Sequence, residues 1–136
     1  MAEAIDMTIT ADASTPAVVL GIVESFCEHH AVPPRPAYVL TLVVEELVTN
    51  VVNHAYRGTS GPMELRIGLA DGRIAGEVVD SGPPFDPTAM ETPDVDAALE
   101  DRDIGGLGVH IVRTMVEALD YAREDGRNVL RFRVAL

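Results

Sequence analysis

The stretch from Leu40 to Tyr56, LTLVVEELVTNVVNHAY, predicts one long helix whose apolar residues occupy most of its circumference. A helix that is apolar on nearly all sides is buried in the core of its domain. At about 100° per residue, four polar residues fall within about a third of that circumference: Glu46, Asn50, Asn53 and His54. Because an unpaired buried carboxylate is costly, this polar wall faces either an internal hydrogen-bond network or a wet, charged ligand. The helix alone leaves both alternatives open.

The length, composition and net charge of the chain limit the classes of protein to which it can belong. A chain of 136 residues with 47% hydrophobic content predicts a single domain over residues 1–136 with one core. The net charge of −12, from 22 acidic and 10 basic residues, argues against direct binding of nucleic acid. If a phosphate ligand binds, backbone amides and a metal ion must therefore supply the positive electrostatic potential that attracts it. With one cysteine, no basic and apolar leader and no apolar run of membrane-spanning length, we expect a cytoplasmic protein without disulfides or membrane contact.

Hydrophobic periodicity and turn residues divide the chain into eight predicted elements. In order they are a strand at Ala4 to Thr10, a helix from an N-cap at Ser14 to His30, a helix from Pro36 to Tyr56, strands at Met63 to Leu69 and Arg73 to Asp80, a helix at Val109 to Leu119, and strands at Asp120 to Glu124 and Val129 to Leu136. A long loop with a weak helical signal at Thr92 to Glu100 separates the fifth element from the sixth. This order predicts an α+β fold, a two-layer α/β sandwich whose mainly antiparallel mixed sheet is covered on one face by three helices.

An acidic turn follows the second hairpin strand, where the sequence runs VVDSGPPFD from Val78 to Asp86. Asp80 ends an apolar strand, and Gly82 leaves the backbone open to close approach. The simplest interpretation is a turn that ends a strand. The alternative is a carboxylate that accepts a hydrogen bond from an exocyclic amine of a bound base.

A glycine-rich segment, IGGLGVHIV, precedes the last predicted helix. Gly105, Gly106 and Gly108 would let consecutive N–H groups point at one anion, with the helix N-terminus behind them. Such segments also serve as hinges. The segment lacks the Gly-Lys-Ser/Thr of a P-loop, and it does not follow the first strand as a dinucleotide-binding turn would.

In combination, three stretches resemble the GHKL (Bergerat-fold) family of ATP-binding domains, most closely the bacterial anti-sigma-factor serine/threonine kinases. Residues 46–56 look like the family's N box, residues 80–86 like its first glycine box, and residues 105–112 like its second. The resemblance covers nearly the whole chain and implies the histidine-kinase-like ATPase fold. Glu45, His110 and the pair Pro83-Pro84 depart from the family's pattern, which leaves the partner and the kinase activity less firmly implied than ATP binding.

The resemblance implies ATP and Mg²⁺ as cofactors and gives each motif a role. Asn50 would contribute its side-chain oxygen to the metal, Asp80 would accept from the adenine amine, and Gly82 would let the base sit close. Glu46 would be the catalytic base, although an ion pair with a nearby arginine is its alternative role. Residues of about 86 to 104 would form an ATP lid. The predicted nucleotide-binding residues are Asn50, Asn53, His54, Asp80, Gly82, Phe85, Gly105, Gly106, Leu107, Gly108 and Val109.

Three functions follow as hypotheses. The first is a Ser/Thr kinase that phosphorylates an anti-sigma-factor antagonist and so regulates a sigma factor, working as a homodimer. The second is a non-catalytic, ATP-dependent switch that binds a protein partner, and the third, ranked last, is the ATPase domain of a histidine kinase. Arg102 is more typical of a solvated lid charge than of a phosphate ligand, and the group Cys27, His29 and His30 more typical of surface residues than of a metal site.

Overall fold

A computed structural model describes residues 4–57, 59–89 and 104–136 of the chain. Three α-helices and five strands make up this part, together with a π-helical turn and a short 3-10 turn. In chain order they are β1 (Ala4–Ala11), α1 (Thr15–His29), α2 (Pro34–Asn50), the π-turn (Val51–Ala55), β2 (Gly61–Ala70), β3 (Arg73–Asp80), the 3-10 turn (Pro87–Ala89), α3 (Ile104–Met115), β4 (Ala118–Glu124) and β5 (Arg127–Ala135).

The five strands form one sheet in the order β1-β2-β3-β5-β4. Each neighbouring pair is antiparallel, so the predicted α+β sandwich with a mainly antiparallel sheet is confirmed. The connection from β3 through α3 to β4 passes over β5, which therefore pairs with β3 in the interior of the sheet. In that pairing Asp80 of β3 lies opposite Asn128 of β5.

The hydrophobic core lies between the helices and one face of the sheet. Leu40, Val43, Val44 and Leu47 of α2 are fully buried, which confirms that this helix is the centre of the fold. The inward side chains of the central strands alternate with outward polar ones, as a sheet with one covered face requires. Those inward residues include Met63, Leu65, Ile67, Ile74, Val78, Leu130, Phe132 and Val134.

On the other face of the sheet, the described residues form ion pairs between strands, and none of the described helices packs there. Glu77 accepts from Arg66 at 2.7 Å and from Arg131 at 2.9 Å, and Glu64 accepts from Arg127 at 2.7 Å. A cavity of about 410 Å³ lies beside these pairs and has Gly68 in its lining. None of the three predicted motifs contributes to this cavity, so it is separate from the candidate site.

The predicted second helix differs from the observed one at both ends. The observed helix begins at Pro34 rather than Pro36, because a proline fits the first turn of a helix, where its missing N–H is not needed. It does not continue as a regular α-helix to Tyr56: α-helical pairing ends at Asn50, and the Tyr56 N–H bonds to the Val51 carbonyl five residues back, at 3.1 Å. This π-helical turn rotates the residues after Asn50 relative to a regular helix, and such turns are frequent at functional sites.

The third helix lies nearer the N-terminus of the chain than predicted. It was expected at Val109 to Leu119 but spans Ile104–Met115, so the glycine segment forms its first turns rather than a preceding loop. Its C-terminal end is earlier because the Glu117 N–H donates to the Arg133 carbonyl at 2.9 Å, and strand pairing with β5 replaces helical pairing. The weak helical signal at 92–100 lies outside the described residues.

Both hairpins turn on two residues. Asp71 and Gly72 have φ of 52° and 73°, and Asp125 and Gly126 have φ of 52° and 75°. These positive angles are those of tight hairpin turns, which favour Asp-Gly. The last strand therefore starts at Arg127, two residues earlier than predicted. No helix in the described part of the chain is long and apolar enough to span a membrane.

Candidate functional site

Asn50 is the last residue of α2 and is only 5% exposed. Its Nδ2 atom is buried and has no hydrogen-bond partner within the part of the chain that the structure describes. A half-turn about the Cβ–Cγ bond of Asn50 exchanges the positions of the amide oxygen and nitrogen. The side chain can therefore offer either a donor or an acceptor at the same place. A buried amide without a protein partner is typical of a site that a ligand completes.

Glu46 lies one turn before Asn50 on the same helix, and its Oε1 atom is buried. Its carboxylate occupies the space where a Cβ atom on Gly108 would sit. The acid of α2 therefore lies directly against the first turns of α3, and only glycine at position 108 permits this contact. The neighbouring Glu45 is exposed and lies outside the core.

Asp80 ends β3 and is 5% exposed. Its Oδ1 accepts two hydrogen bonds, from the Gly82 N–H at 2.9 Å and from Asn128 Nδ2 at 2.9 Å. No described residue donates to its second oxygen, Oδ2. The carboxylate is thus held in place through Oδ1, and Oδ2 can accept a hydrogen bond from a further donor.

Asn128 lies at the candidate site, and the sequence did not indicate it. It is 1% exposed, and its amide bonds to Asp80 and to the backbone of the turn at Pro83 and Phe85, at 2.9, 2.9 and 3.2 Å. Tyr121 and Arg123 of β4 donate to its Oδ1 at 2.6 and 3.2 Å. Its role depends on the register of β3 and β5, and a lone Asn after an Asp-Gly turn gives no sign of that register.

Gly82 fits against the π-turn. A Cβ atom at this position would lie 2.7 Å from Ala55 Cβ and 2.8 Å from the Ala55 carbonyl oxygen. Close packing against a helix end is therefore one reason for glycine at this position, and the close approach of a base stays a prediction. Tyr56 strengthens the same junction, because its hydroxyl oxygen accepts from the Ser81 N–H at 2.9 Å while its O–H donates to the Pro62 carbonyl. Burial is the main cause that raises the pKa of Tyr56 above its ordinary value.

The remaining predicted residues of the first two motifs lie at the same end of α2. The rings of His54 and Phe85 stack on each other with centroids 4.8 Å apart and planes 10° apart. This stack joins the π-turn to the turn after β3. Asn53 is exposed, because the widened turn places it on the solvent side of the helix end. Contact of these three residues with a nucleotide stays a prediction.

The second glycine motif is helical. Gly105, Gly106, Leu107 and Gly108 belong to the first turns of α3, and the side chain of Val109 is buried. If Val109 contacts a ligand, it does so through its backbone. The first N–H groups of a helix have no intrahelical partner, so this end still suits an anion. Arg102 and most of the predicted lid, residues 90–103, lie outside the described residues.

The first lid residues are fixed to α3. Asp86 accepts from the Thr88 N–H at 2.8 Å and caps the 3-10 turn, and Arg113 donates to the Thr88 carbonyl at 2.8 Å. The start of the predicted lid segment is therefore linked to α3 by a hydrogen bond.

Cys27, His29 and His30 form no metal site with other described residues, among which no group of three metal-binding side chains occurs. Cys27 is buried, and burial raises the pKa of its thiol. The ring of His30 packs on Phe26 with centroids 4.6 Å apart.

The three motifs therefore lie around one helix end. Asp80 and its turn pack on the π-turn after Asn50, and Gly108 of α3 lies against Glu46. The arrangement offers a carboxylate oxygen at one end, a buried amide in the middle, and an acid beside a helix N-terminus at the other end.

Comparison with known proteins gives consistent matches. Residues 9–134 match the family model described as the histidine kinase-like ATPase domain. The chain is 29% identical over 133 residues to the serine/threonine-protein kinase BtrW of Bordetella bronchiseptica, covering 94% of this chain and 89% of BtrW. It is 25% identical over 95 residues to the serine-protein kinase RsbW of Bacillus cereus, covering 67% of this chain and 59% of RsbW.

A solved structure has a similar fold. The crystal structure of the RsbU and RsbW domains of Rv1364c from Mycobacterium tuberculosis matches with a TM-score of 0.72. The match covers 98% of this chain and 32% of that chain, at 16% sequence identity. At this identity the likeness shows a shared fold and nothing further.

Proposed function

The chain belongs to the histidine kinase-like ATPase family, and we propose that it is an ATP-dependent serine/threonine protein kinase of the anti-sigma-factor type. The resemblance to GHKL domains expected from the three motifs is confirmed by the family match and by relatives named as serine or serine/threonine kinases. In the proposed reaction, the γ-phosphoryl group of ATP is transferred to a serine or threonine of an antagonist protein. Regulation of a sigma factor by exchange of partners would follow.

The observation that carries the proposal is the position of Glu46. Its carboxylate lies one turn from the buried amide of Asn50 and touches Gly108 in the first turns of α3. A helix N-terminus attracts phosphate groups, so the terminal phosphates of ATP would lie between α2 and α3. In that position, the γ-phosphoryl group would lie beside the Glu46 carboxylate.

The residues present fit a bound Mg²⁺. Magnesium prefers oxygen ligands and is usually held by one or two protein groups plus phosphates and water. The buried amide of Asn50, with no partner for its Nδ2 among the described residues, can turn its oxygen towards such an ion. When bound, the metal would neutralise triphosphate charge that a protein of net charge −12 does not.

The adenine base of ATP would bind at the Asp80 end of the site. Asp80 presents Oδ2 while its Oδ1 is held by Gly82 and Asn128. The exocyclic amine of adenine donates to such an oxygen, whereas guanine has a carbonyl at that position. His54 and Phe85 form a stacked wall near this turn.

Glu46 would act as the general base of the transfer. The substrate hydroxyl oxygen attacks the γ-phosphorus, its proton passes to the Glu46 carboxylate, and the bond from the γ-phosphorus to the bridging oxygen breaks to release ADP. Asn50 orients the phosphates, and the N–H groups of α3 stabilise the charge on the equatorial oxygens.

Two alternatives make different use of the same site. In a non-catalytic switch, ATP only sets the conformation that holds a protein partner, and Glu46 is structural. In a histidine kinase, the acceptor would be a histidine of a separate helical hairpin. We further propose a cytoplasmic homodimer, made of single-domain protomers, whose partners are an antagonist protein and a sigma factor.

The experiment is capture of partners from a lysate of the native cells with and without Mg-ATP, followed by transfer from γ-labelled ATP. We expect acid-stable phosphoserine or phosphothreonine on a captured protein. Capture that depends on ATP without any labelling would favour the switch, and acid-labile phosphohistidine would favour the histidine kinase.

A further inference from the structure

Asn128 lies opposite Asp80 in the pairing of β3 with β5, and the two side chains meet on the helix-covered face of the sheet. Both are almost fully buried, at 1% and 5% exposure. A buried amide beside a buried carboxylate is stable only if its polar atoms have partners. The partners of Asn128 therefore show what this residue does.

The orientation of the Asn128 amide is determined by its neighbours. The Pro83 carbonyl can only accept, so the atom 2.9 Å from it is Nδ2. The Phe85 N–H and the Arg123 guanidinium can only donate, so the atom 3.2 Å from each is Oδ1. With that orientation fixed, Nδ2 also donates to Asp80 Oδ1 at 2.9 Å.

This geometry selects which oxygen of Asp80 remains for a ligand. Oδ1 receives both Asn128 Nδ2 and the Gly82 N–H, while no described residue donates to Oδ2. Without Asn128 the carboxylate would lose one of its two described donors and could rotate. The same amide also fixes Pro83 and Phe85, and hence the wall that Phe85 forms with His54.

Tyr121 and Arg123 of β4 hold the Asn128 amide in place through hydrogen bonds. The Tyr121 O–H donates to Asn128 Oδ1 at 2.6 Å, and Arg123 Nη1 bridges Oδ1 and the Gly82 carbonyl, which it reaches at 2.8 Å. The last hairpin thereby holds the turn that follows β3. Tyr121 is linked to Asp80 through the Asn128 amide.

We propose that Asn128, supported by Tyr121, is a positioning residue that sets the base selectivity of the nucleotide site by fixing the acceptor oxygen of Asp80. The inference rests on the proposed function, because it takes Asp80 as the partner of an exocyclic amine. It adds that selectivity depends on two residues that touch Asp80 directly or through one amide, neither of which belongs to the three sequence motifs.

The test compares binding of ATP with binding of purine riboside triphosphate, which lacks only the exocyclic amine. We expect the unaltered protein to prefer ATP by about tenfold or more, the usual effect of one hydrogen bond to a charged group. Asn128→Leu keeps the approximate shape but removes the donor without adding a second carboxylate beside Asp80, and the preference should fall towards one. Tyr121→Phe, which removes only a hydroxyl, should lower the preference partially and keeps the test valid if the first variant does not fold.

The matched control is Arg127→Gln, the residue before Asn128, whose side chain pairs with Glu64 on the opposite face of the sheet. It should retain the full preference. If Asn128→Leu or Tyr121→Phe weakens binding of both nucleotides by the same factor, Asn128 only stabilises the fold and the inference is wrong. If the unaltered protein binds both nucleotides equally, the adenine role of Asp80 is wrong instead, and the two failures are distinguished.

Discussion

Under the proposed function, Asp80 is the residue whose chemistry would most directly determine which base the site accepts. Asp80→Asn replaces an acceptor pair by one acceptor and one donor, and it weakens the bonds from Gly82 and Asn128. We expect ATP affinity, measured by calorimetry, to fall by more than about tenfold, because a lost hydrogen bond to a charged group has this size.

Asp120→Asn is the matched control for this change. Asp120 is exposed and lies on the open face of the sheet, so ATP affinity should not change. Equal affinity of the unaltered protein for GTP and ATP would exclude Asp80 from recognition of the base.

Tyr56 joins the π-turn to the first residue of the turn after β3 through the Ser81 N–H. Tyr56→Phe leaves that N–H without its acceptor, and the free energy of unfolding should decrease by about 1 to 2 kcal/mol. Denaturant titration at neutral pH measures this loss.

The raised pKa of Tyr56 adds a pH dependence with a definite sign. Its contribution to stability is fully present below the ordinary tyrosine pKa of 10.0, and it is lost as the pH rises through the higher folded-state pKa. Between neutral pH and pH of about 11, stability should therefore fall less steeply in Tyr56→Phe than in the unaltered protein. Identical slopes would show that the hydroxyl is not protected by burial.

At the scale of elements, the contact between α2 and α3 depends on Gly108. Gly108→Ala would place a Cβ where the Glu46 carboxylate now lies. That carboxylate is the far end of a flexible side chain, so it should move away rather than disrupt the fold. We expect phosphoryl transfer to fall by about tenfold or more while the stability changes by less than about 1 kcal/mol.

Gly21→Ala on α1 is the control for this glycine, since a Cβ there meets no atom within 4 Å. It should raise the stability by about 0.5 to 1 kcal/mol, because alanine favours a helix, and leave transfer unchanged. Normal transfer in Gly108→Ala would mean that the position of Glu46 is unimportant.

The end of α1 offers a stability test that is independent of function. The Val32 N–H donates to the Cys27 carbonyl at 2.9 Å and the Ala31 N–H to the Glu28 carbonyl at 3.2 Å, which is the Schellman pattern. The residue in its left-handed position is Ala31, with φ of 50°, where glycine is usual. Ala31→Gly should therefore raise the free energy of unfolding by about 0.5 to 1 kcal/mol, measured by denaturant titration. A loss of stability would contradict this cap.

Local signals predicted most elements of the fold. The Asp71-Gly72 pair indicates a tight hairpin because its backbone angles need residues that tolerate positive φ. The last hairpin was also predicted, but with a turn over residues 125–128, whereas it turns on Asp125 and Gly126 alone. The π-turn after Asn50 could not be predicted, since one changed hydrogen bond leaves the apolar pattern of the helix intact. The end of α3 was also misplaced, because pairing of Glu117 with Arg133 depends on a strand that follows in the sequence.

The candidate site divides in the same way. Glu46, Asn50, Asp80, Gly82 and Gly108 are identified by motifs that are continuous in sequence. Asn128 and Tyr121 are not, because their roles come from the register between strands that only the folded sheet defines. Non-local hydrogen bonds thus account for what the sequence did not reveal about the site.

For the molecule as a whole, the proposed function requires that the protein transfers a phosphoryl group rather than merely binding ATP. The most direct measurement compares Glu46→Ala with the unaltered protein in two assays, ATP affinity by calorimetry and transfer from γ-labelled ATP to the captured partner. A general base contributes in the transition state, so we expect transfer to fall by about a hundredfold or more while ATP affinity changes little.

Two variants bracket this result. Asn50→Ala should abolish both binding and transfer, because the triphosphate then meets an acidic protein without its metal, and Glu45→Ala, an exposed neighbour, should change neither. If Glu46→Ala labels the partner as fast as the unaltered protein does, Glu46 is structural and is not the general base. If the unaltered protein binds ATP but labels no captured partner, the proposed function is wrong and the non-catalytic switch replaces the kinase.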